Sequence, residues 1–344
     1  MSSIDLSNVS GQIKVDELFD SFEYIPLETT DASIFGAIDK LVVCDEKFFI
    51  FDKAKTKKVF VFHNDGAYSH TIGSVGGGEG EYSGNVEDFV IDKEKQQVII
   101  LTHRSFIYIY DMAGRFIQRH RLTSETMLWN ICSYKDGYVC STNHQVIASN
   151  KSFLIYDFDN NFKLKSKLLS SAQVQAAMPP FTSIPIQNID NKIIYFDNFT
   201  STVYFNVVNP AMSSAVHFIL GAEVPPDAYA NPQVFFTNQS NYSFFIDFFF
   251  IDSAILWASF IDKGKQCVFA KNFTIDEHVL SHINWMPKFL FYHDGYFYSH
   301  MNPLWILEGH DFFSAASTTK YPIDIDSNPV IVRFKMKNGI FKIK

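Results

Sequence analysis

Residues 58–66 read KVFVFHNDG, an alternating apolar run that ends in a tight turn of Asn, Asp and Gly. Alternation with a period of two predicts a β-strand, and the polar turn with Gly favours a hairpin. The pattern recurs at 106–114, 153–161, 202–210, 266–274 and 330–339. The first four turns end at Gly66, Gly114, Asn161 and Pro210, so successive units are 47 to 49 residues long, and the last two units are longer.

Each unit has the same internal order of four short strands. An inner run such as 38–44 is followed by a second run at 47–51, by the repeated strand and turn, and by a polar-alternating run at 67–73. Four strands in a unit of this length are typical of a β-propeller blade, whereas TPR and ankyrin units are helical. One helix is predicted, at 303–316, with Pro303 in its first turn.

Six units predict an all-β fold, a six-bladed β-propeller of four-stranded antiparallel blades. A lone sheet cannot bury both of its faces, but blades stacked around an axis can, and a closed ring leaves no exposed end. We expect FEYIPL (22–27) to close the ring as the outermost strand of the last blade, beside VIVRFKM (330–336), since Pro26 suits an edge strand. The predicted domains are an N-terminal extension, 1–21, and a single propeller, 22–344.

Composition agrees with this fold and excludes some partners. Aromatic residues make up 16% of the 344 residues, with 36 Phe, which favours β-sheet, although an AT-rich genome would also enrich Phe. The net charge of −8 lacks the cationic footprint of a nucleic-acid-binding protein. Two charge-free stretches, 168–189 and 198–222, are broken by Pro and Asn, so no membrane-spanning segment is predicted.

A glycine cluster at 73–84 is the most distinctive local feature. A P-loop requires Lys-Ser/Thr after its last Gly and then a helix, whereas Glu81-Tyr82 and the strand VEDFVID (86–92) follow here. We therefore interpret the cluster as a connection between blades that needs positive φ.

The strings FEYIPLETTDASIFGAIDKLVVCDEKFFIFD (22–52), GSVGGGEGEY (73–82) and NPVIVRFKMK (328–337) resemble a six-bladed β-propeller family of gut Bacteroidetes, related to NHL-repeat propellers. Members of that family are typically lipoproteins of the envelope or secreted proteins, and the family has no generally established activity. The resemblance implies an extracytoplasmic protein whose signal is missing from this chain. A cytoplasmic protein is the alternative, because MSSIDLSNVSGQ has no signal-peptide pattern.

Candidate site residues come from the register of the repeat. Propellers line their channel with the innermost strand of each blade, and polar residues recur 26–31 positions before the repeated turn. These residues predict a polar ring of Asp39, Asp88, Asn130, Ser183 and Ser243. Trp129 and Trp285 lie near the same strand starts and are candidates for an aromatic platform that binds a sugar or peptide, with core packing as the alternative.

The sequence leaves binding, catalysis and a purely structural role in a larger envelope complex open, and it cannot separate the structural role from binding. The first is a non-enzymatic binding module of the bacterial envelope, with an unknown protein, peptide or glycan as partner and no cofactor. The alternative is a metal-dependent hydrolase that resembles propeller lactonases. It would hold a calcium ion in the channel through Asp39, Asp88 and Asn130, because hard oxygen ligands suit calcium. No catalytic residue is assigned, since no GxSxG elbow or cysteine signature occurs.

Overall fold

The computed structural model describes residues 1–144, 153–170, 184–308, 320–337 and 340. The N-terminal residues form β1 (Ser2–Asp5), β2 (Gln12–Ile13), the one-turn helix α1 (Val15–Leu18) and β3 (Phe19–Ile25). The rest of the described chain forms six antiparallel sheets in sequence order, and each sheet is one blade.

The first three blades follow one another without interruption by other elements. Blade 1 contains β4 (Lys40–Cys44), β5 (Lys47–Asp52), β6 (Lys58–His63) and β7 (Tyr68–Ile72). Blade 2 contains β8 (Val86–Asp92), β9 (Gln97–Thr102), β10 (Phe106–Asp111) and β11 (Phe116–Arg121), with a 3₁₀ turn at His103–Ser105. Blade 3 contains β12 (Asn130–Tyr134), β13 (Gly137–Ser141), β14 (Phe153–Phe158) and β15 (Leu164–Ser170).

The last three blades carry the longer insertions. Blade 4 contains β16 (Ile186–Ile189), β17 (Lys192–Asp197), β18 (Thr202–Phe205) and β19 (Ser214–Ile219), with a 3₁₀ turn at Pro210–Met212. The helices α2 (Pro226–Ala230) and α3 (Pro232–Asn238) and a 3₁₀ turn at Gln239–Asn241 follow. Blade 5 contains β20 (Ser243–Phe250), β21 (Ile255–Asp262), β22 (Lys265–Asn272) and β23 (Glu277–Ile283). Blade 6 contains β24 (Phe291–His293), β25 (Tyr296–Met301), the helix α4 (Pro303–Leu307) and β26 (Val330–Met336).

The ring closes as predicted from the sequence. β3 pairs antiparallel with β26 as the outermost strand of blade 6, with Ile25 opposite Ile331. The innermost strands β24 and β4 contact each other, so blade 6 also lies beside blade 1. The protein is therefore a six-bladed β-propeller, and the repeated strand of the sequence is the third strand of every blade.

The predicted helix at 303–316 begins at Pro303 as expected, and its α-helical part ends at Leu307. Residues 309–316 of the prediction lie outside the described residues.

The N-terminus also contributes outside blade 6. β1 pairs in parallel with β19 and β2 pairs in parallel with β23, so blades 4 and 5 each gain a fifth, outermost strand. This pairing covers two exposed strand edges that would otherwise offer free backbone groups. This pairing is not predicted from the sequence, and the domain boundary between residues 21 and 22 stays a prediction.

Among the described residues, one hydrophobic cluster lies between each pair of neighbouring blades, and a seventh, smaller cluster lies at the helices α2 and α3. Phe and Tyr fill much of this space. Between blades 4 and 5, for example, the rings of Phe196 and Phe248 stack with centroids 4.1 Å apart. The high Phe content therefore has a structural use, because each blade presents two apolar faces that must be covered.

The two faces of the ring differ in their connections. The loop face, where the innermost strands begin, carries the connections between blades and the helices α2, α3 and α4. The turn face, where the innermost strands end, carries tight turns in blades 1 to 3 and 6. The glycine-rich run 73–84 connects β7 to β8 on the loop face, as interpreted from the sequence. Gly80 has φ 77°, and a Cβ there would lie 2.6 Å from the Phe116 side chain, so both the conformation and the space require glycine.

Candidate functional site

A cavity of about 470 Å³ lies on the ring axis. We call it the channel cavity, and its lining includes residues from the innermost strand of all six blades: Lys40, Val42, Val43, Phe89, Val90, Ile91, Asp92, Ile131, Cys132, Ser133, Tyr134, Ile186, Gln187, Asn188, Ile189, Phe249, Phe250, Phe291 and Tyr292. Its rim includes Lys93, Glu94 and Lys135, which are exposed on the turn face. The cavity therefore has access to solvent from that face.

The walls of the channel cavity are mostly apolar. Val42, Val90 and Phe291 are half-buried and belong to three different blades, while Lys93, Glu94 and Lys135 lie at the rim. An apolar concave site of a few hundred Å³ with a few polar groups has the character of a small-molecule pocket.

The Lys40–Asp88 ion pair lies where the cavity approaches the loop face. Lys40 Nζ is 2.6 Å from Asp88 Oδ1 and donates a second hydrogen bond of 2.7 Å to the carbonyl oxygen of Phe89. Asp88 Oδ2 accepts a 2.9 Å hydrogen bond from the backbone N–H of Ile131. One buried carboxylate therefore connects the innermost strands of blades 1, 2 and 3.

Blade 5 has a comparable carboxylate. Asp247 Oδ2 accepts hydrogen bonds from Ser259 Oγ at 3.0 Å and from the backbone N–H of Phe289, in the connection that leads into blade 6, at 2.9 Å. Over the residues that the structure describes, its Oδ1 is buried without a hydrogen-bond partner, and the residue borders a separate cavity of about 90 Å³. Burial raises the pKa of Asp247 to about 7.

The remaining residues of the predicted ring hydrogen-bond mainly within their own blades. Asp39 Oδ2 accepts from the backbone N–H groups of Lys53 at 2.7 Å and Ala54 at 3.3 Å. Ser141 Oγ donates to Asn130 Oδ1 at 3.1 Å, and Ser243 Oγ donates to Asp262 Oδ1 at 2.7 Å. These are local uses of polar groups at strand ends.

The structure does not join the described members of the ring to one another. Among the residues it describes, no hydrogen bond or ion pair links any two of Asp39, Asp88, Asn130 and Ser243, and none of the four lines the channel cavity. Ser183 lies outside the described residues. A binding role for this set stays a prediction.

The two tryptophans lie in connections that lead into blades 3 and 6, three blades apart in the ring. Trp129 is half-buried, with Lys53 Nζ 5.2 Å from its ring centroid. Trp285 is also half-buried. The aromatic platform stays a prediction as well.

Two of the residues that line the cavity can be found in the sequence two positions after predicted ring residues. Side chains two positions apart in a strand share a face. Val90 follows Asp88 by two positions, Cys132 follows Asn130 by two, and both line the channel cavity. The polar residue marks the strand start near the loop face, and the apolar residue after it marks the wall.

The part of the chain that the structure describes contains no cluster of metal-binding side chains. There, no three His, Cys, Asp or Glu side chains are placed to hold a metal ion. Both oxygens of Asp88, the central residue of the calcium hypothesis, already accept hydrogen bonds. The calcium site stays untested.

The geometry defines a class of protein: a closed six-bladed β-propeller with an axial, mostly apolar cavity. None of the described helices is long and apolar enough to cross a membrane. Comparison with known proteins gives the family. Residues 1–335 match the model of the domain of unknown function DUF4934, and the chain belongs to that family.

Solved structures agree on the fold. A protein of Bacteroides fragilis NCTC 9343 that its name describes as exported is 14% identical, with a TM-score of 0.78 over 98% of this chain and 100% of that chain. The RRP9 WD40 repeats are 8% identical, with a TM-score of 0.51 over 92% of this chain and 98% of that chain. At these identities the likeness establishes the fold alone. No curated protein matches the sequence.

Proposed function

We propose that the chain is a non-enzymatic binding protein of the bacterial envelope and that its channel cavity takes a small, mostly apolar ligand from the turn face. The observation that carries this proposal is the cavity itself, with its volume of about 470 Å³, apolar walls and charged rim. Binding at such a site gains free energy by removing apolar ligand surface from water, while a few polar groups set the orientation.

Lys40 and Asp92, two titratable groups that line the cavity, are already engaged with protein partners, which supports binding over catalysis. Lys40 and Asp88 pair with each other, and Asp92 accepts a hydrogen bond from Tyr138. Burial raises the pKa of Cys132 to about 12, so its thiol stays protonated at neutral pH. A catalytic nucleophile requires an adjacent base or a lowered pKa.

The envelope part of the proposal has separate support. The similar protein of Bacteroides fragilis carries a name that describes it as exported. An extracytoplasmic location also agrees with the family resemblance of the sequence. Fractionation of native cells with an antibody to this chain tests the location, and recovery of the protein in the cytosolic fraction alone would contradict it.

Binding is tested with N-phenyl-1-naphthylamine, a neutral apolar dye that fluoresces when it leaves water. We expect saturable binding of one dye per chain to the wild type. The double variant Val42→Phe/Val90→Phe places two rings into the channel cavity, and we expect it to weaken dye binding at least tenfold.

Ile117→Phe is the matched control, because Ile117 is 45% exposed on the outer strand of blade 2. It should bind the dye as the wild type does. Melting temperature and far-UV circular dichroism verify that each variant is folded. Equal binding by the wild type and the folded double variant, or absence of binding by the wild type to the dye and to a panel of small apolar compounds, contradicts the proposal.

A further inference from the structure

The arginines of this acidic chain are concentrated in one place. The sequence has five Arg, and four of them, Arg104, Arg115, Arg119 and Arg121, fall within 18 consecutive residues of blade 2. The net charge is −8, so a local excess of guanidinium groups runs against the overall charge. Such a local field attracts anions.

Part of this cluster surrounds a concave site. A groove of about 440 Å³ is lined by Arg104 from the 103–105 turn, Arg119 from β11, Phe106 and Tyr108 from β10, and Ser83 and Gly84 from the connection into blade 2. We call it the blade 2 groove. None of its lining residues lines the channel cavity, so the two sites are separate.

The guanidinium groups at the groove are held by aromatic rings. Arg119 Cζ lies 5.5 Å from the ring centroid of Phe106 and 5.9 Å from that of Tyr108, and Arg121 Cζ lies 5.4 Å from that of Phe106. Stacking on a ring fixes the guanidinium plane and leaves its N–H groups directed outward.

No described carboxylate neutralises these arginines. Over the residues that the structure describes, Arg104, Arg119 and Arg121 form no ion pair. Arg115, at the opposite end of the same blade, is 2.5 Å from Asp111. The groove therefore presents guanidinium groups whose charge-assisted hydrogen bonds are unused.

A nearby acid is accounted for by other groups. Glu87 is buried, with its carboxylate 2.9 Å from Lys53 Nζ and 3.7 Å from His103 Nδ1. Its negative charge is therefore paired with that of Lys53, which leaves the arginines of the groove available.

Arg104 lies in a turn with an unfavourable backbone conformation. Arg104 has φ 60° and ψ 26°, and Ser105 has φ 61°, so two successive residues adopt the left-handed region. Ser105 is fully buried and fixes the turn by donating to the Thr126 carbonyl at 2.8 Å and accepting from the Leu128 N–H at 3.1 Å. A strained turn that its surroundings hold in place is a common feature of binding sites.

We propose that the blade 2 groove binds a phosphate- or sulfate-bearing ligand through its oxyanion. A planar carboxylate is satisfied by one bidentate guanidinium, whereas a tetrahedral oxyanion accepts from arginines that approach from two elements, here the 103–105 turn and β11. Access is open at Gly84, where a Cβ would meet nothing within 4 Å. The concave shape favours a discrete group over a flat membrane surface.

The test measures binding of inositol hexakisphosphate and of dextran sulfate by isothermal titration calorimetry at low ionic strength. We expect binding of at least one of them, and the arm that binds identifies a phosphate or a sulfate ligand. Arg104→Gln and Arg119→Gln should each weaken binding about tenfold. Arg119→Lys should also weaken it, because lysine keeps the charge and loses the fork.

Arg115→Gln is the matched control, since it removes the same charge from the same blade but outside the groove. It should change affinity less than twofold. An equal loss with Arg115→Gln, equal binding of poly-L-glutamate, or no binding of either probe overturns the proposal. Dye binding in the channel cavity should be unaffected by Arg119→Gln, so the two proposals fail separately.

Discussion

Blades 2 and 5 each have a buried aspartate directly after the β-bulge of the innermost strand, but only the aspartate of blade 2 has an ion-pair partner among the described residues. Asp88 and Asp247 each follow a β-bulge. Each accepts a hydrogen bond from a backbone N–H where the chain enters the next blade, Ile131 for Asp88 and Phe289 for Asp247. Asp88 also has an ammonium 2.6 Å away, whereas Asp247 has the neutral Ser259 hydroxyl and, in the described part of the chain, no hydrogen-bond partner for its Oδ1.

In both blades the aspartate joins its blade to the next one. The charge is a consequence of that role, because a carboxylate oxygen is a strong acceptor for a backbone amide. A buried charge costs free energy unless it is paired, and the unpaired group changes its protonation instead. In blade 2 the charge of Asp88 is paired with Lys40 of blade 1, whereas in blade 5 the pKa of Asp247 is raised.

The largest effect is expected from Asp88→Asn. It breaks the ion pair and leaves the mostly buried ammonium of Lys40 without its counter-charge, so the free energy of unfolding should fall by about 4 kcal/mol. Urea unfolding followed by circular dichroism measures it. Asp111→Asn is the control, because the Asp111–Arg115 pair is exposed and should contribute less than about 1 kcal/mol. Equal losses in the two variants would remove the contrast.

An effect of opposite sign is expected from Asp247→Asn. The folded carboxyl has a pKa of about 7 and the unfolded one about 3.8, so the folded state binds more protons between these values and wild-type stability falls as pH rises through them. Asparagine mimics the protonated form. The variant should therefore be more stable than the wild type at pH 8, on the order of 2 kcal/mol, and the gain should shrink towards pH 5.

Urea unfolding at pH 5, 6, 7 and 8 measures this difference. The shape of the pH dependence carries the prediction, since a packing effect of the substitution would be constant across pH. A gain that stays the same from pH 5 to pH 8, or a loss at pH 8, is inconsistent with a raised pKa at Asp247.

The smallest effect is expected from supplying blade 5 with a cation. Gln187 is the counterpart of Lys40: its Nε2 donates to the carbonyl of Phe248, the residue after Asp247, as Lys40 donates to the carbonyl after Asp88. Gln187→Lys should lower the pKa of Asp247 and flatten the pH dependence of stability. Total stability should change by less than about 1 kcal/mol, because the N–H of Phe250 loses its Gln187 acceptor. An unchanged pH profile would contradict the equivalence.

The architecture could be predicted because it depends on local patterns. The turn-ended strands, the connection at 73–84 and the closing strand at 22–27 all show alternation, glycine or proline where the fold needs them. β1 could not be predicted, because SSID carries too little apolar pattern to reveal a strand whose pairing depends on β19.

The site was harder to predict than the fold. Asp88 and Asp247 are both acidic residues in apolar strands, and their difference depends on whether the preceding blade offers a lysine or a glutamine. The cavity depends on how far six strands stand from a common axis. Neither property is encoded within one strand. The register of the repeat therefore identifies the innermost strands but not the wall of the cavity.

The proposed function is the binding of a small apolar ligand in the channel cavity. A crystal structure of the wild-type protein with N-phenyl-1-naphthylamine tests it most directly. We expect electron density for one dye on the ring axis, in contact with Val42, Val90 and Cys132. Density for the dye only at other places on the molecule, with the axis left to solvent, would contradict it.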